Sequence, residues 1–266
     1  KNCIQFRGKM DPSEYKDYIL SLLFVKYVSD KIGKINDSPI TVPEGGSFND
    51  MVKLKGKPEI GKGINDIIEK LAEENNLKGI IDIADFNDPE KVGSGKSMVD
   101  TLSNVISIFQ NSKLDFSKNK ADDDDLIGDA YEFLMRQFAI ESGKSKGQFY
   151  TPSEVSKIIA QVIGAKNYKK KSDTVYDPTC GSGSLLLKVA SETPNGISIY
   201  GQESIKATSA MAIMNMWIHN NAEAEIANEN TISEPQFLND GSLRTFDLVV
   251  ANPPFSDKSW DNGIDK

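Results

Sequence analysis

The sequence Asn252-Pro253-Pro254-Phe255 directly follows an apolar run, residues 246–251, that is typical of a buried strand. Two consecutive prolines remove two backbone N–H donors and hold the chain in an extended turn. The Asn252 side-chain oxygen and the Pro253 carbonyl remain as acceptors that could hold both hydrogens of an amino group. Phe255 supplies a flat apolar face on which a planar base could stack. The motif predicts a site that orients an amino nitrogen toward an electrophile, and a plain turn is the alternative.

A second motif, residues 177–184 with the sequence DPTCGSGS, lies between a predicted strand and a predicted helix. Its glycines let a ligand approach the backbone, and the following helix N-terminus offers free N–H groups. A dinucleotide fingerprint would need glycine where Leu186 stands, and the turn lacks the Gly-Lys pair of a phosphate-binding loop. Asp177 at the strand tip suits a cationic or amine-bearing ligand better than a pyrophosphate.

Glu203 follows the next predicted strand and lies 20 residues beyond Gly183. An acidic side chain at this place in a parallel sheet accepts hydrogen bonds from both hydroxyls of a ribose. A surface glutamate without a ligand is the alternative, and the position at the strand end favours the ribose.

The elements that position these motifs alternate along the second half of the chain. We predict strands at residues 174–176, 197–200 and 246–251, and helices at residues 185–190 and 205–219. This order implies a parallel sheet with helices on both faces. Ligands of such sheets bind beyond the carboxyl ends of the strands, where all three motifs fall.

The first half of the chain has helical spacing. Asp11, Pro12 and Glu14 form a typical helix N-terminus, and further helices are predicted at residues 64–77, 99–109 and 126–138. Residues 39–63 are rich in Gly, Pro and Lys and predict long loops. The composition changes near residue 143, so we predict a helical domain over residues 1–143 and a second domain over residues 144–266.

The composition excludes several classes of protein. With two cysteines and one histidine among 266 residues, a disulfide framework and a four-ligand zinc site are not expected. No membrane-spanning run or signal peptide is apparent, so a cytoplasmic protein is expected. The net charge is −8, with −6 in residues 1–143 and −2 in residues 144–266. This acidity argues against the chain binding DNA alone, because DNA affinity comes largely from Lys and Arg.

In this order, DPTCGSG, GQE and NPPF resemble the amino-methyltransferases that use S-adenosylmethionine. The segment GQFYTP (residues 147–152) precedes them, and its Thr151, Pro152 and the following Glu154 also predict a helix start capped by Thr151. Together with GDAYEFLMRQFA (residues 128–139), the motifs resemble the methylation subunit of a type I restriction–modification system. The resemblance implies an α/β fold: an N-terminal helical domain followed by a Rossmann-like S-adenosylmethionine-dependent methyltransferase domain.

The resemblance also implies a role for each motif. Asn252, Pro253, Pro254 and Phe255 would hold the target adenine, Glu203 would bind the ribose of S-adenosylmethionine, and Asp240 would lie beside its adenine. The other residues that the resemblance assigns to the cofactor are Gln148, Phe149, Tyr150, Thr151, Pro152, Ser153, Asp177, Gly181, Ser182, Gly183 and Ser184.

The implied reaction is direct transfer of the sulfonium methyl group to adenine N6, with the base flipped out of duplex DNA. No metal and no enzyme nucleophile are needed, whereas cytosine C5 methylation would require a cysteine, and neither Cys3 nor Cys180 is suitably placed. The implied partners are double-stranded DNA, a specificity subunit that reads the bases, a restriction subunit and a second methylation subunit.

Two alternatives stay open at this point. The same Asn-Pro-Pro-aromatic motif could bind a protein glutamine amide or an RNA base, and an interaction subunit could have lost catalysis. The chain also contains about four predicted strands, whereas a complete methyltransferase sheet has about seven. We therefore expect a fragment that is truncated at its C-terminus.

Overall fold

The computed structural model describes residues 12–31, 40–118 and 151–253. The chain divides into two compact units, Lys1–Tyr131 and Glu132–Lys266. The predicted domain boundary after residue 143, the predicted helix at residues 126–138 and the GDAYEFLMRQFA segment lie outside the described residues. In the described ranges, no helix combines the length and apolar character needed to cross a membrane.

The described part of the first unit is helical. Its helices are α1 (Pro12–Lys31), α2 (Phe48–Val52), α3 (Ile60–Glu74), α4 (Pro89–Val92) and α5 (Gly95–Phe109), followed by 3-10 turns at Ser112–Leu114 and Phe116–Lys118. The predicted start of α1 at Pro12 is confirmed. Helix α1 is buried around most of its circumference, as expected of a helix that is apolar on several faces. The Ser21 hydroxyl ties it to the Ile81 carbonyl at 2.8 Å.

The prediction of long loops over residues 39–63 is wrong in two places. Helix α2 forms there because Ser47 and Asp50 make a capping box, in which each side chain accepts from the other's backbone N–H. Helix α3 begins at Ile60, four residues before the predicted start, because Ile60 itself is buried in the core. Helix α5 likewise begins at Gly95 rather than at residue 99.

The second unit is built on a parallel sheet, as predicted. Its elements are α6 (Ser153–Val162), a 3-10 turn (Ala165–Asn167), β1 (Thr174–Asp177), α7 (Ser184–Glu192), β2 (Ser198–Gln202), α8 (Lys206–Ile218), β3 (Glu225–Ala227), β4 (Leu238–Asn239), β5 (Ser242–Leu243) and β6 (Leu248–Val249). Strands β3, β2, β1 and β6 lie side by side in that order and are all parallel. Strands β4 and β5 form a separate antiparallel hairpin.

The two faces of the sheet are covered differently. Val175 and Ile199 face a continuous apolar core formed with helices α6, α7 and α8. On the opposite face Tyr176 lies beside Tyr200 in register, and both rings contact Phe237 and Phe246. Within residues 151–253 the helices therefore pack on one face, whereas the predicted arrangement placed helices on both.

The last strand is shorter and more open than predicted. Residues 246–251 predict a buried strand, but the ladder covers only Leu248–Val249, which pair with β1 at one edge of the described sheet. Leu248 and Val250 are buried, whereas Val249 points to the other side and is 57% exposed. The alternation of side chains along a strand explains why half of this apolar run is not buried.

Candidate active site

The three predicted motifs lie together at the carboxyl ends of the parallel strands. Asp177 ends β1, Glu203 directly follows β2, and Asn252 lies three residues after β6. Because β1 lies between β2 and β6, the glycine-rich turn after Asp177 has the other two motifs on either side of it. The predicted convergence at the carboxyl ends of parallel strands is confirmed in position.

The glycine-rich turn needs its glycines for the fold itself. Gly181 and Gly183 both have positive φ, 55° and 78°, a region that other residues rarely adopt. A Cβ on Gly183 would also lie 2.5 Å from the Cε atom of Met216 in α8. Gly183 is the N-cap of α7, and no side chain caps that helix. The first amides of α7 thus have no side-chain cap, and a helix N-terminus of this kind favours an anionic group.

Ser182 and Ser184 lie inside the turn rather than on its surface. Both are buried, and their hydroxyl oxygens are 2.9 Å apart. The buried Asn215 side chain of α8 donates to the Ser182 carbonyl at 2.8 Å. Helix α8 thus holds the backbone of the turn, a contact that spacing in the sequence did not predict.

Asp177 is almost completely buried, with 2% of its surface exposed. Its carboxylate accepts the Thr179 backbone N–H at 2.9 Å. Burial raises the pKa of the Asp177 carboxyl to about 7, an effect that the Thr179 N–H opposes and the negative charge of Glu203 increases. The carboxyl group therefore titrates near neutral pH, and a cation bound beside it would favour its ionised form.

Glu203 links the turns after β1 and β2. These two turns, which are predicted to bind the cofactor, form the cofactor side of the site. One carboxylate oxygen accepts the Gly181 N–H at 3.1 Å, and the other accepts the Ile205 N–H at 2.9 Å. Burial raises the pKa of Glu203, and these two N–H groups act in the opposite direction. The oxygen beside Ile205 also accepts from the Ser204 hydroxyl at 3.5 Å, whereas the oxygen beside Gly181 has a further lone pair for a ligand hydroxyl.

The neighbouring Gln202 has a role that the sequence analysis missed. Its buried side chain donates to the carbonyls of Glu229 and Glu234, at 3.1 and 2.9 Å, and accepts the Gln236 N–H at 3.1 Å. This side chain fastens residues 229–236 to the end of β2. Only the motif GQE hinted at its importance, because partners 27 to 34 residues away cannot be identified from spacing.

Two further bonds connect this segment, extended to residues 228–236, to both turns. Thr231 donates its hydroxyl to the Pro178 carbonyl in the glycine-rich turn. Asn228 donates to the Glu203 carbonyl at 2.8 Å. The segment therefore bridges the ends of β1 and β2 and borders the space between Asp177 and Glu203.

Cys180 lies within the glycine-rich turn and is buried. Burial raises the pKa of its thiol well above the usual value, and the charges of Asp177 and Glu203 raise it further. The thiol is therefore protonated at neutral pH and is poorly suited to nucleophilic attack.

Asn252 is half-buried, between the exposed residues Ala251 and Pro253. Its side-chain nitrogen donates to the Thr151 hydroxyl oxygen at 3.3 Å. Thr151 does not cap α6 as predicted: Pro152 is the N-cap, α6 begins at Ser153, and no side chain caps it. A proline in extended conformation before Ser153 moves the helix start one residue later, so the Thr151 hydroxyl is free of the capping role.

Asp240, predicted to lie beside the cofactor adenine, is an exposed residue in the turn between β4 and β5. It has a positive φ of 50°, and Gly241 follows with a φ of 79°. Two consecutive residues with positive φ are typical of a type I′ hairpin turn, which favours an Asp-Gly pair. The turn explains the residue types, and the cofactor contact stays a prediction.

Five of the predicted site residues lie outside the described residues. They are Gln148, Phe149, Tyr150, Pro254 and Phe255.

Comparison with known proteins defines the class. The profile of the family described as N-6 DNA Methylase matches residues 122–266, and that of the HsdM N-terminal domain matches residues 1–109. The chain therefore belongs to the N-6 DNA methylase family, a family of methyltransferases, as its motifs predicted.

The individual relatives to which the chain is similar are methylase subunits of type I restriction enzymes. The chain is 31% identical to the type I restriction enzyme MpnII methylase subunit of Mycoplasma pneumoniae, over 96% of this chain and 56% of that protein. It is 29% identical to the MjaIX methylase subunit of Methanocaldococcus jannaschii, over 97% of this chain and 50% of that protein. The chain thus spans about half the length of these curated relatives.

A solved structure agrees with the sequence comparisons. The methyltransferase subunit of a type I restriction–modification system from Streptococcus thermophilus aligns with a TM-score of 0.78 and 26% identity. The alignment covers 96% of this chain and 62% of that one. The predicted fold class, a helical N-terminal domain before a methyltransferase domain, is confirmed.

Proposed function

We propose that the protein transfers a methyl group from S-adenosylmethionine to N6 of an adenine flipped out of duplex DNA, as the modification subunit of a type I restriction–modification system. One observation carries the proposal. The Asn252 amide and the buried carboxylates of Asp177 and Glu203 lie at one sheet edge, in a chain of the N-6 DNA methylase family.

The residues of the cofactor side fit S-adenosylmethionine. The carboxylates of Asp177 and Glu203 are acceptors for an ammonium group and for ribose hydroxyls, and the uncapped N-terminus of α7 suits a carboxylate. When bound, S-adenosylmethionine supplies a methyl group that its sulfonium already activates. The chain therefore needs to position the reactants and has no need of a nucleophilic side chain.

The target side of the site, formed by the motif that begins at Asn252, supports this proposal because it supplies two hydrogen-bond acceptors. The Asn252 side-chain oxygen and the Pro253 carbonyl would accept the two hydrogens of the adenine amino group. Those bonds hold the nitrogen lone pair in one direction, and Phe255 would stack on the base. Orientation of this kind converts a random encounter into an aligned one, which is a large share of the catalysis in a direct displacement.

Partner subunits would supply most of the contacts to the DNA phosphates, because this chain is acidic. The net charge of −8 disfavours binding of a polyanion by the chain alone. We therefore assign base recognition to a specificity subunit and expect two methylation subunits and a restriction subunit in the complete complex. Such a complex would act in the cytoplasm, where the DNA is.

The test is methyl transfer by the complete complex, including its specificity subunit. Tritiated S-adenosylmethionine should label unmethylated duplex DNA, and nuclease digestion should release N6-methyladenine. Duplex already methylated on both strands is the matched control and should gain little label. Label in protein or RNA but never in DNA would overturn the proposal and favour the glutamine or RNA alternative. Absence of S-adenosylmethionine binding in calorimetry would favour an inactive interaction subunit.

A further inference from the structure

The contact between Asn252 and Thr151 joins two motifs that are far apart in the sequence. The Asn252 Nδ2 atom donates to Thr151 Oγ1 at 3.3 Å, across 101 positions of the chain. Thr151 stands two residues before α6, and the buried Ala160 anchors that helix in the core of the second unit. A side chain of the target-base motif is thus held by the segment that precedes the sheet.

The direction of this bond matters for an amide. A carboxamide has a donor end and an acceptor end of nearly the same shape, and a half-turn about its last bond exchanges them. The amino group of a base needs the acceptor end, Oδ1. With Nδ2 engaged by Thr151 Oγ1, Oδ1 is the end that remains for a substrate. In the exchanged orientation the Thr151 hydroxyl could donate to Oδ1. Nδ2 would then meet the N–H groups of the base, two donors face to face, so the base selects the orientation and the hydroxyl holds the side chain in place.

We propose that Thr151 is a positioning residue for methyl transfer: its hydroxyl hydrogen-bonds the Asn252 carboxamide and holds this side chain where Oδ1 can accept from the target amino group. This inference rests on the proposed function and adds to it a residue that does not itself touch the reacting atoms. The predicted role of Thr151 as a helix cap does not compete, because the structure places Pro152 at the N-cap of α6.

The matched pair of variants is Thr151→Val and Thr151→Ser in the complete methyltransferase complex. Valine keeps the shape and removes the hydroxyl, whereas serine keeps the hydroxyl. At saturating cofactor and DNA, we expect the single-turnover rate of Thr151→Val to fall about tenfold, the effect of one lost hydrogen bond to the side chain that orients the target amino group. Thr151→Ser should stay within about threefold of the unmodified protein. The resemblance also assigns Thr151 to the cofactor, whereas the structure places its hydroxyl against Asn252. On the present proposal, cofactor affinity and the midpoint of thermal unfolding should therefore change little in either variant.

A binding measurement tests how Thr151 positions the Asn252 amide without the contribution of the transfer step. Duplexes with adenine or with purine, which lacks the 6-amino group, at the target position are compared in the presence of S-adenosylhomocysteine. Thr151→Val should lower the ratio of adenine to purine affinity about fivefold relative to the unmodified complex, and Thr151→Ser should keep that ratio near its unmodified value. A general structural defect would weaken both duplexes alike.

A double-mutant cycle with Asn252→Ala completes the test, because Thr151→Val should have no further effect when the amide is absent. Three results would overturn the inference: full transfer by Thr151→Val, an undiminished loss in the Asn252→Ala background, or a loss of cofactor affinity equal to the loss of rate. Each presupposes that the unmodified complex methylates DNA. If it does not, the proposed function fails before this comparison is made.

Discussion

The cofactor side and the target side of the candidate site differ in how firmly they are held, although both lie at one sheet edge. On the cofactor side, Asp177, Gln202 and Glu203 are buried, and their side chains bond to backbone groups of three separate segments. On the target side, Asn252 is half-buried beside an edge strand of two residues, and its described side-chain bond is the one to Thr151.

This difference matches what each side would have to bind. A small cofactor with several polar groups is best met by acceptors that are already fixed, because fixed groups need no reorganisation on binding. A flipped base has to enter from outside, so the target side cannot be closed by the chain itself. The comparison predicts that target-side substitutions change the transfer rate and that cofactor-side substitutions change affinity and stability.

Asn252→Ala, on the target side, should have the largest effect of the proposed substitutions. Removing the amide should lower single-turnover methyl transfer roughly 10²–10³-fold, as found when one group that stabilises a transition state is deleted. Cofactor affinity measured by calorimetry should stay within about threefold, because Asn252 lies outside the cofactor turns. Asn167→Ala, at an exposed asparagine in the 3-10 turn after α6, is the control and should leave the rate unchanged. Normal methylation by Asn252→Ala would refute the catalytic assignment.

Gln202→Ala tests whether the cofactor side depends on its internal bonds. The substitution leaves the Glu229 carbonyl and the Gln236 N–H without their partner and removes one of the two donors to the Glu234 carbonyl. We expect the free energy of unfolding to fall by about 3 kcal/mol, since an unpaired buried polar group costs roughly 1–3 kcal/mol. Urea denaturation measures this. Gln161→Ala removes the same side chain at an exposed position of α6 and should change stability by less than about 0.5 kcal/mol. Equal effects of the two would show that residues 229–236 do not depend on Gln202.

Glu203→Gln should weaken cofactor binding with a smaller effect on the fold. An amide has one acceptor oxygen, so either the Gly181 or the Ile205 N–H loses its partner and the charge is lost. We expect the affinity for S-adenosylmethionine to fall about 30-fold, near 2 kcal/mol, as is typical of hydrogen bonds to charged groups. Glu229→Gln is the matched control, since that glutamate lies near the same edge but is exposed. An unchanged dissociation constant in Glu203→Gln would remove Glu203 from the cofactor site.

The positions of the motifs were predictable because they depend on local signals. A short apolar run followed by Asp177, Glu203 or Asn252 marks the end of a strand, and parallel strands bring such ends together. The capping box at Ser47 and Asp50 was equally local, but it lay within a stretch whose Gly and Pro content favoured a loop. Here the composition of the stretch outweighed a valid helix signal.

The supporting contacts were not predictable, because they join residues that are distant in the sequence. Gln202 and its partners, Asn215 below the glycine-rich turn, and Thr151 beside Asn252 depend on the packing of whole elements. Gly183 illustrates the limit in another way. Its sequence context suggested ligand approach, whereas its packing against Met216 requires glycine even without a ligand. Local pattern thus located the site, and tertiary packing determines how it is held.

The pH dependence of cofactor binding gives the smallest expected effect and tests the charge of the cofactor side. Asp177 has a folded pKa of about 7 against an ordinary value of 3.8, so the folded protein without cofactor holds a proton there between those values. Its contribution to the free energy of unfolding therefore decreases as pH rises from about 4 to about 7.

An ammonium group bound beside Asp177 favours the ionised carboxylate, so binding releases that proton. Affinity for S-adenosylmethionine should rise about fivefold between pH 6 and pH 7. Calorimetry in two buffers of different ionisation enthalpy should detect the released proton. Asp177→Asn keeps the acceptor for the Thr179 N–H, and its weaker binding should no longer vary over this range. If the affinity of the unmodified protein did not change from pH 6 to pH 7, the ammonium group of the cofactor would not lie against Asp177. The cofactor side would then be stabilised by its hydrogen bonds and not by an ion pair with the cofactor.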